Sequence, residues 1–221
     1  MKRAFALLLL LLFVATSSKG GGLQIVKIDT DHQSFVFSAA SGKPLMFRYW
    51  GARLSEEDAG AILSACGREK SWELYPAYGG ALYTNPALTL VHADGQLTTE
   101  LVFSSCHSRQ LDENRTETII VLQDKVLPLT VELRFTAFRQ QDIVMQSVTV
   151  RNREQGPVIV RQIASAFFSL KAMSYYLTHF HGSSNAEMWL KEELLTPGIK
   201  TIDSKKGVVR PIMRTPASLS R

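Results

Sequence analysis

The chain has 221 residues, which is enough for one sizeable domain or two small ones. Its formal net charge is +5, but the basic residues are scattered and form no stripe with interleaved aromatics, which argues against a nucleic-acid partner. The sequence also has no glycine-rich phosphate loop, no Gly-x-Ser-x-Gly turn and no zinc-type cysteine pairing, so we expect no metal and no cofactor.

Residues 1–17 have the pattern of a signal peptide. Lys2-Arg3 gives a short positive start, the run Ala6–Val14 is apolar, and Ala15-Thr16-Ser17 supplies the small residues that a signal peptidase recognises. The apolar run is short for a bilayer span, although an uncleaved anchor is the alternative. We therefore predict an exported protein, periplasmic or extracellular, whose mature domain is residues 18–221 and lies free of the membrane after cleavage.

The mature chain is dominated by alternating apolar and polar residues, which predict β-strands. The clearest strand is Leu129–Phe138, and Asp94-Gly95 predicts a hairpin between the strands on either side of it. The predicted strands are Leu23–Asp29, Gln33–Ser38, Leu45–Trp50, Ala87–His92, Leu97–Phe103, Glu117–Leu122, Leu129–Phe138, Asp142–Asn152, Val158–Phe168 and Tyr175–Phe180. Many short strands with frequent turns predict an all-β fold, a large antiparallel β-sandwich.

One short helix is predicted near residues 56–66. Ser55 is a capping residue, and three acidic residues follow it in the first turn, where the helix dipole favours negative charge. The apolar face of this helix ends at Cys66. The second cysteine of the chain is Cys106, and the two form either a disulfide, which export permits, or two buried thiols.

His179-Phe180-His181 is the densest histidine site. Residues i and i+2 of a strand share a face, so both rings can meet one ligand, but a metal needs further donors that the spacing does not supply. Trp189 follows a polar loop, where an indole can stack on a sugar ring or simply fill a core. Trp50 and Trp72 are weaker candidates for the same role.

Seven short segments occur in a characteristic order along residues 23–216. They are Phe47–Leu54, Glu73–Gly79, Asn85–Leu88, His92–Gly95, Phe180–Gly182, Thr196–Lys200 and Asp203–Gly207. Together they resemble the N-terminal domain of glycoside hydrolase family 36, the α-galactosidase group. The resemblance implies a large, twisted antiparallel β-supersandwich that packs against a catalytic (β/α)₈ barrel.

In such enzymes a pair of barrel aspartates acts as nucleophile and acid/base, with retention of configuration. The barrel and the last strands of the front domain are not in this sequence, so we expect the chain to be a truncated portion without activity of its own. The parent enzyme would hydrolyse terminal α-galactosides in oligosaccharides, and self-association of the full-length enzyme stays open.

Two departures from the family pattern concern contact with the sugar. Where many members have an aspartate, this chain reads Gly80–Thr84, and where they have a tryptophan in the His-Gly loop, it reads Ser183–Asn185. The remaining candidates for substrate binding are Trp189, His181 and Tyr83, and no residue is assigned to catalysis. Two alternatives stay open: a stand-alone carbohydrate-binding or interaction module, and a non-functional gene fragment whose product folds poorly.

Overall fold

The computed structural model describes residues 22–65, 72–80, 85–170, 174–183, 186–202 and 218–220. The predicted signal peptide, Cys66 and Tyr83 lie outside these ranges. The chain divides into two compact units, residues 1–169 and 170–221. The described elements are β1 (Gln24–Asp29), β2 (Gln33–Ala39), β3 (Met46–Ala52), α1 (Glu56–Ala65), β4 (Trp72–Glu73), β5 (Leu88–Val91), β6 (Leu101–Gln110), β7 (Arg115–Asp124), β8 (Leu129–Phe138), β9 (Ile143–Asn152), β10 (Ile159–Ile163), β11 (Tyr176–Ser183), β12 (Ala186–Leu194) and β13 (Ser218–Ser220).

The first unit contains two four-stranded antiparallel sheets that share one hydrophobic core. One sheet has the order β1-β2-β3-β4 and the other has the order β6-β7-β8-β9. The rings of Phe37 on β2 and Phe135 on β8 lie 5.5 Å apart between their centroids, which joins the two sheets through the core. This arrangement confirms the predicted all-β antiparallel fold.

Strand β8 shows the predicted alternation in full. Its five inward residues are almost completely buried: Leu129, Val131, Leu133, Phe135 and Ala137. The residues between them face the outer side of the sheet, where charged side chains pair across neighbouring strands. Burial of an aliphatic side chain contributes about 1.5–3 kcal/mol, so this row is a large part of what holds the sheet on the core.

The helix α1 confirms the prediction to within a residue at its carboxyl end. The Ser55 hydroxyl accepts a hydrogen bond of 3.1 Å from the Asp58 amide and donates one of 2.7 Å to the Asp58 carboxylate, so Ser55 caps one of the free amides of the first turn. The helix buries Ala59 and lies against β1, where Lys27 Nζ is 2.8 Å from the carboxylate of Glu56.

The predicted hairpin around Asp94-Gly95 is wrong in its pairing. The turn itself forms, with Gly95 in the left-handed region at φ 86° and its amide bonded to the His92 carbonyl at 2.9 Å. However, β5 pairs antiparallel with β10, and β6 begins only at Leu101 and pairs with β7. A turn motif indicates local geometry alone, whereas the choice of partner strand depends on residues about 70 positions away in the sequence.

The second unit contains one three-stranded sheet with the order β12-β11-β13. Strand β12 and strand β13 were not predicted. The nine residues of β12 include two leucines, three glutamates and a lysine, which favour helix, and pairing with β11 overrides that preference. No helix in the described part of the chain has the length and apolar character that crossing a membrane requires.

Cys106 lies half-buried on β6 and carries a free thiol. Burial raises the pKa of this thiol to about 11, so it stays protonated near neutral pH and is a poor nucleophile.

Candidate functional site

The hairpin of β11 and β12 brings together two of the three residues predicted to contact a sugar. His181 lies directly opposite Trp189 in the antiparallel register, and His179 lies opposite Lys191. Directly opposed residues project from the same face of a sheet, with Cβ atoms about 5 Å apart. We call this face, formed by His179, His181, Trp189, Lys191 and Glu193, the histidine–tryptophan face.

The indole of Trp189 is 62% exposed, which distinguishes it from an ordinary core tryptophan. An exposed indole on a flat hairpin presents the kind of apolar surface on which the C–H groups of a pyranose pack. The structure describes the backbone of His181 but not the contacts of its side chain. The support for His181 as a sugar-binding residue is therefore its backbone position directly opposite the exposed Trp189.

A β-bulge precedes Trp189 and sets the face on which it lies. The register shifts between His181 and Ser183, so two residues of β12 oppose one residue of β11. Met188 occupies the left-handed region at φ 59°, which is unusual for a bulky residue. Bulges of this kind re-aim side chains next to functional sites. Neither the bulge nor the left-handed backbone of Met188 was predicted from the sequence.

Glu193 anchors the polar end of the same face. Its carboxylate lies 2.8 Å from Lys200 Nζ, 3.4 Å from Lys191 Nζ and 3.5 Å from Nε2 of His179. The hydrogen bond from Lys200, followed by that from Lys191, holds the pKa of Glu193 below its usual value. Glu193 is therefore an ionised acceptor at neutral pH and is unsuited to the proton-donating role of a glycosidase acid.

The reverse face of the hairpin differs in character. Thr178 donates a hydrogen bond of 2.8 Å to Glu192, and the neighbouring positions Tyr176, Leu190 and Leu194 expose apolar surface. Leu190 is as exposed as Trp189, at 62%, but points to the opposite side because it is the next residue along the strand. It provides a natural control for any role of Trp189.

The motif Tyr75–Gly79, which leads toward Tyr83, has a structural explanation. Tyr75 is buried, donates a hydrogen bond of 2.7 Å to the Ala164 carbonyl, and has a pKa raised by burial to about 12. Gly79 has φ 90°, and a Cβ there would lie 2.6 Å from Cγ2 of Thr98. Only glycine fits this close approach. Tyr83 itself is outside the described residues, so its candidacy stays a prediction.

The motif beginning at His92 is also structural. The His92 ring is buried and bonds through Nδ1 to Glu154 at 2.8 Å and through Nε2 to Thr99 at 2.8 Å. A second oxygen of Glu154 accepts the Ala93 amide at 2.9 Å. This network ties the turn after β5 to the turn after β9, and its buried polar atoms are satisfied.

Many carboxylates of the described residues accept hydrogen bonds from cationic side chains, hydroxyls or backbone amides. Where a shift in carboxyl pKa is resolved, the pKa is lowered: at Asp112, Glu117, Glu132, Asp142 and Glu193. A retaining glycosidase instead needs one carboxyl group with a raised pKa facing a second at about 5 Å. Nor do the described residues contain a cluster of three side chains able to hold a metal ion.

The chain matches a known protein family over most of its length. The model of the glycosyl hydrolase family 36 N-terminal domain matches residues 43–212. The chain is 24% identical over 162 residues to the bifunctional alpha-galactosidase/sucrose kinase AgaSK of Mediterraneibacter gnavus. This alignment covers 65% of the present chain and 17% of AgaSK. It is 27% identical over 150 residues to alpha-galactosidase 2 of Pediococcus pentosaceus, covering 62% and 21% respectively.

The fold is also that of solved structures in this group. The GH36 α-galactosidase AgaA from Geobacillus stearothermophilus superimposes with a TM-score of 0.72 at 19% identity, covering 83% of this chain and 30% of AgaA. The α-galactosidase from Lactobacillus brevis gives a TM-score of 0.69 at 19% identity, covering 82% and 28%. The chain thus spans about a fifth of the length of its curated relatives, between 17% and 21%.

Proposed function

The chain belongs to the glycosyl hydrolase family 36 N-terminal domain family, and from this premise we propose that it serves as the front domain of an α-galactosidase. The parent activity would be hydrolysis of terminal α-galactosides in oligosaccharides. The observation that carries the proposal is the family match over residues 43–212, supported by the relatives named as alpha-galactosidases. One relative, a variant of AgaA, has been solved in complex with raffinose, which suggests the class of ligand.

We propose further that residues 18–221 alone do not cleave α-galactosides. The support is chemical: each resolved shift in carboxyl pKa among the described residues is downward, and these carboxylates accept hydrogen bonds from cations, hydroxyls or backbone amides. General-acid catalysis needs a protonated carboxyl group near neutral pH. Incubating the purified chain with an aryl α-galactoside should release no phenol above a mock purification. Turnover that survives contaminant controls contradicts the proposal.

A second candidate function is sugar binding without catalysis, through the histidine–tryptophan face. It is favoured by the exposure of Trp189 and by its placement directly opposite His181. The stacking of one sugar ring on an indole is weak on its own, so we expect dissociation constants in the range of about 1 mM.

Titration calorimetry with raffinose tests this candidate. Trp189→Ala should abolish the heat of binding, whereas Leu190→Ala, which removes an equally exposed side chain from the opposite face, should retain it. Both variants should keep the circular dichroism spectrum of the parent chain. The absence of binding at about 10 mM raffinose, or equal loss in the two variants, removes sugar binding from consideration.

Export is the third part of the proposal. It rests on Lys2-Arg3, the apolar run Ala6–Val14 and the small residues that follow. The mature chain should begin near residue 18 and appear outside the cytoplasm of the producing cell. Intact mass after secretion measures this, and an uncleaved chain found in the membrane fraction would instead indicate an anchor.

A further inference from the structure

Two turns lie side by side at one end of the first unit and connect its two four-stranded sheets. They are residues 30–32, between β1 and β2, and residues 139–142, between β8 and β9. The Asp31 amide donates a hydrogen bond of 3.1 Å to the Arg139 carbonyl, and the side chains of the same two residues form an ion pair at 3.1 Å. Because β1 and β8 belong to different sheets, these contacts join the sheets outside their shared core.

The carboxylate of Asp142 is the centre of this connection. One of its oxygens, Oδ1, accepts hydrogen bonds from the Thr30 hydroxyl at 2.7 Å and from the His32 amide at 2.9 Å. The other oxygen, Oδ2, lies 2.7 Å from Nδ1 of the His32 ring. Asp142 has φ 51°, a left-handed backbone that aspartate adopts more readily than most residues. One carboxylate of the β6–β9 sheet thus holds three polar groups of the turn between β1 and β2.

The ring of His32 can change its charge near neutral pH without unfolding of the chain, because its side chain is 80% exposed. The protonated ring places a positive charge against Asp142, whereas the neutral ring keeps at most a hydrogen bond from Nδ1. Among the neighbouring charges, Asp31 also favours the protonated ring and Arg53 opposes it. Arg139 pairs with Asp31 and so offsets part of the attraction of Asp31 for His32.

The two titrations define a pH range for this contact. The hydrogen bond to Asp142, followed by the Asp142 charge, raises the pKa of His32 above its usual value of 6.5. Protonated His32 therefore stabilises the fold fully below the pKa of the unfolded chain, and this stabilisation is lost as the pH rises through the folded pKa. The pKa of Asp142 is lowered to about 2, so the contribution of Asp142 is complete above the unfolded value of about 4. The contact is strongest between about pH 4 and pH 6.5.

We propose that His32 and Asp142 form a pH-sensitive latch between the two sheets, closed in mildly acidic solution and loosened above neutral pH as His32 loses its proton. Phe37 and Phe135 carry no charge, so the core contact between the sheets does not respond to the same titration. Loosening is therefore local to the two turns. Exposed ion pairs are weak, and we expect the equilibrium between closed and open turns to change about twofold to fivefold.

Amide hydrogen exchange of the full chain at about pH 6 and pH 8.5 tests the latch. The amides of Asp31 and His32 report on it directly, since their acceptors are on the turn between β8 and β9. After correction for the intrinsic pH dependence of exchange, their protection should fall about twofold to fivefold in the parent chain. It should not fall in His32→Gln, which keeps a neutral donor. His107→Gln, at an exposed position of β6, is the matched control and should behave like the parent chain.

An NMR titration of the His32 ring gives a second measurement, which a purely structural contact would not change. The pKa of His32 should lie above 6.5 in the parent chain and move back toward 6.5 in Asp142→Asn, which keeps the shape of the side chain. Three results overturn the proposal: no fall in protection in the parent chain, an equal fall in the parent chain and His32→Gln, or a His32 pKa that Asp142→Asn leaves unchanged. Each would mean that the two turns are joined by contacts that do not respond to this proton.

Discussion

Glu117, a carboxylate buried under two arginines on the outer face of the β6–β9 sheet, provides a quantitative test of what holds that sheet. It is only 7% exposed, and it accepts 2.7 Å and 2.6 Å hydrogen bonds from Arg109 on β6 and Arg134 on β8. Burial by itself would raise the pKa of Glu117, but the bonds from Arg134 and Arg109 outweigh it and hold the pKa below its usual value of 4.5.

The perturbation is Glu117→Gln, which keeps the shape of the side chain and removes its charge. The amide oxygen can still accept from one arginine, but the amide nitrogen is a donor that faces the donor of the other. One charge-assisted hydrogen bond is lost, and such bonds contribute about 1.5–3 kcal/mol. Because both guanidinium groups keep some contact with water, we expect the free energy of unfolding to fall by about 2 kcal/mol and Tm to fall by about 6 °C.

The assay is urea unfolding of the parent chain and the variant at pH 7 and at pH 3. A lowered pKa stabilises the folded state above the pKa of the unfolded chain, and this stabilisation disappears as the pH falls through the folded pKa. The difference in free energy of unfolding between the parent chain and Glu117→Gln should therefore be smaller at pH 3 than at pH 7. Glu132→Gln is the control, since Glu132 binds Arg151 at a more exposed position and should lose less than 1 kcal/mol, or about half as much. A gap below about 0.5 kcal/mol at pH 7, or one that does not change with pH, refutes the reasoning.

Three further predictions concern a close backbone contact, a turn and the integrity of the fold. Gly79→Ala should lower the free energy of unfolding by about 2–3 kcal/mol, because the added Cβ would meet Thr98 at 2.6 Å. Gly60→Ala in α1 is the control: its Cβ has free space, so it should raise the free energy of unfolding by about 0.5–1 kcal/mol. Urea unfolding measures both, and equal effects at the two sites would contradict this prediction. The hydrogen bond from Thr30, followed by those from His32, lowers the pKa of Asp142 to about 2, so Thr30→Val should raise that pKa in an NMR titration, and an unchanged value would show that the bond has no such role. The chain should unfold in one thermal transition that coincides in far-ultraviolet and near-ultraviolet circular dichroism, whereas separate transitions would support the hypothesis of a poorly folding fragment.

Several elements of the fold were predictable because their signals are local. The alternation of β8 and the serine cap of α1 act within about ten residues, and both occur as predicted. The Tyr-Pro-x-Tyr-Gly segment was informative in part for the same reason, since Gly79 adopts a left-handed backbone that favours glycine. Tyr75 in the same segment is different, because its hydroxyl bonds the Ala164 carbonyl far along the chain.

The candidate site was only partly predictable. The sequence pointed to His181 and Trp189 separately, because a histidine pair on a strand and a tryptophan near a polar loop are each recognisable patterns. It did not show that the two lie directly opposite each other, nor that Lys191 and Glu193 share their face. That placement depends on the register of the hairpin and on a bulge at Met188, which no residue pattern announced.

The sequence by itself determined the class of the fold, the core face of β8, the position of the helix and the family resemblance. Each of these follows from periodicity, capping or motif order along a short stretch of chain. Only the tertiary structure decided that β5 pairs with β10, that β12 is a strand, and that β9 lies at the end of its four-stranded sheet within the described residues. Those outcomes depend on which strands meet across the chain, and the free energy of such pairing comes from contacts between residues that are distant in sequence.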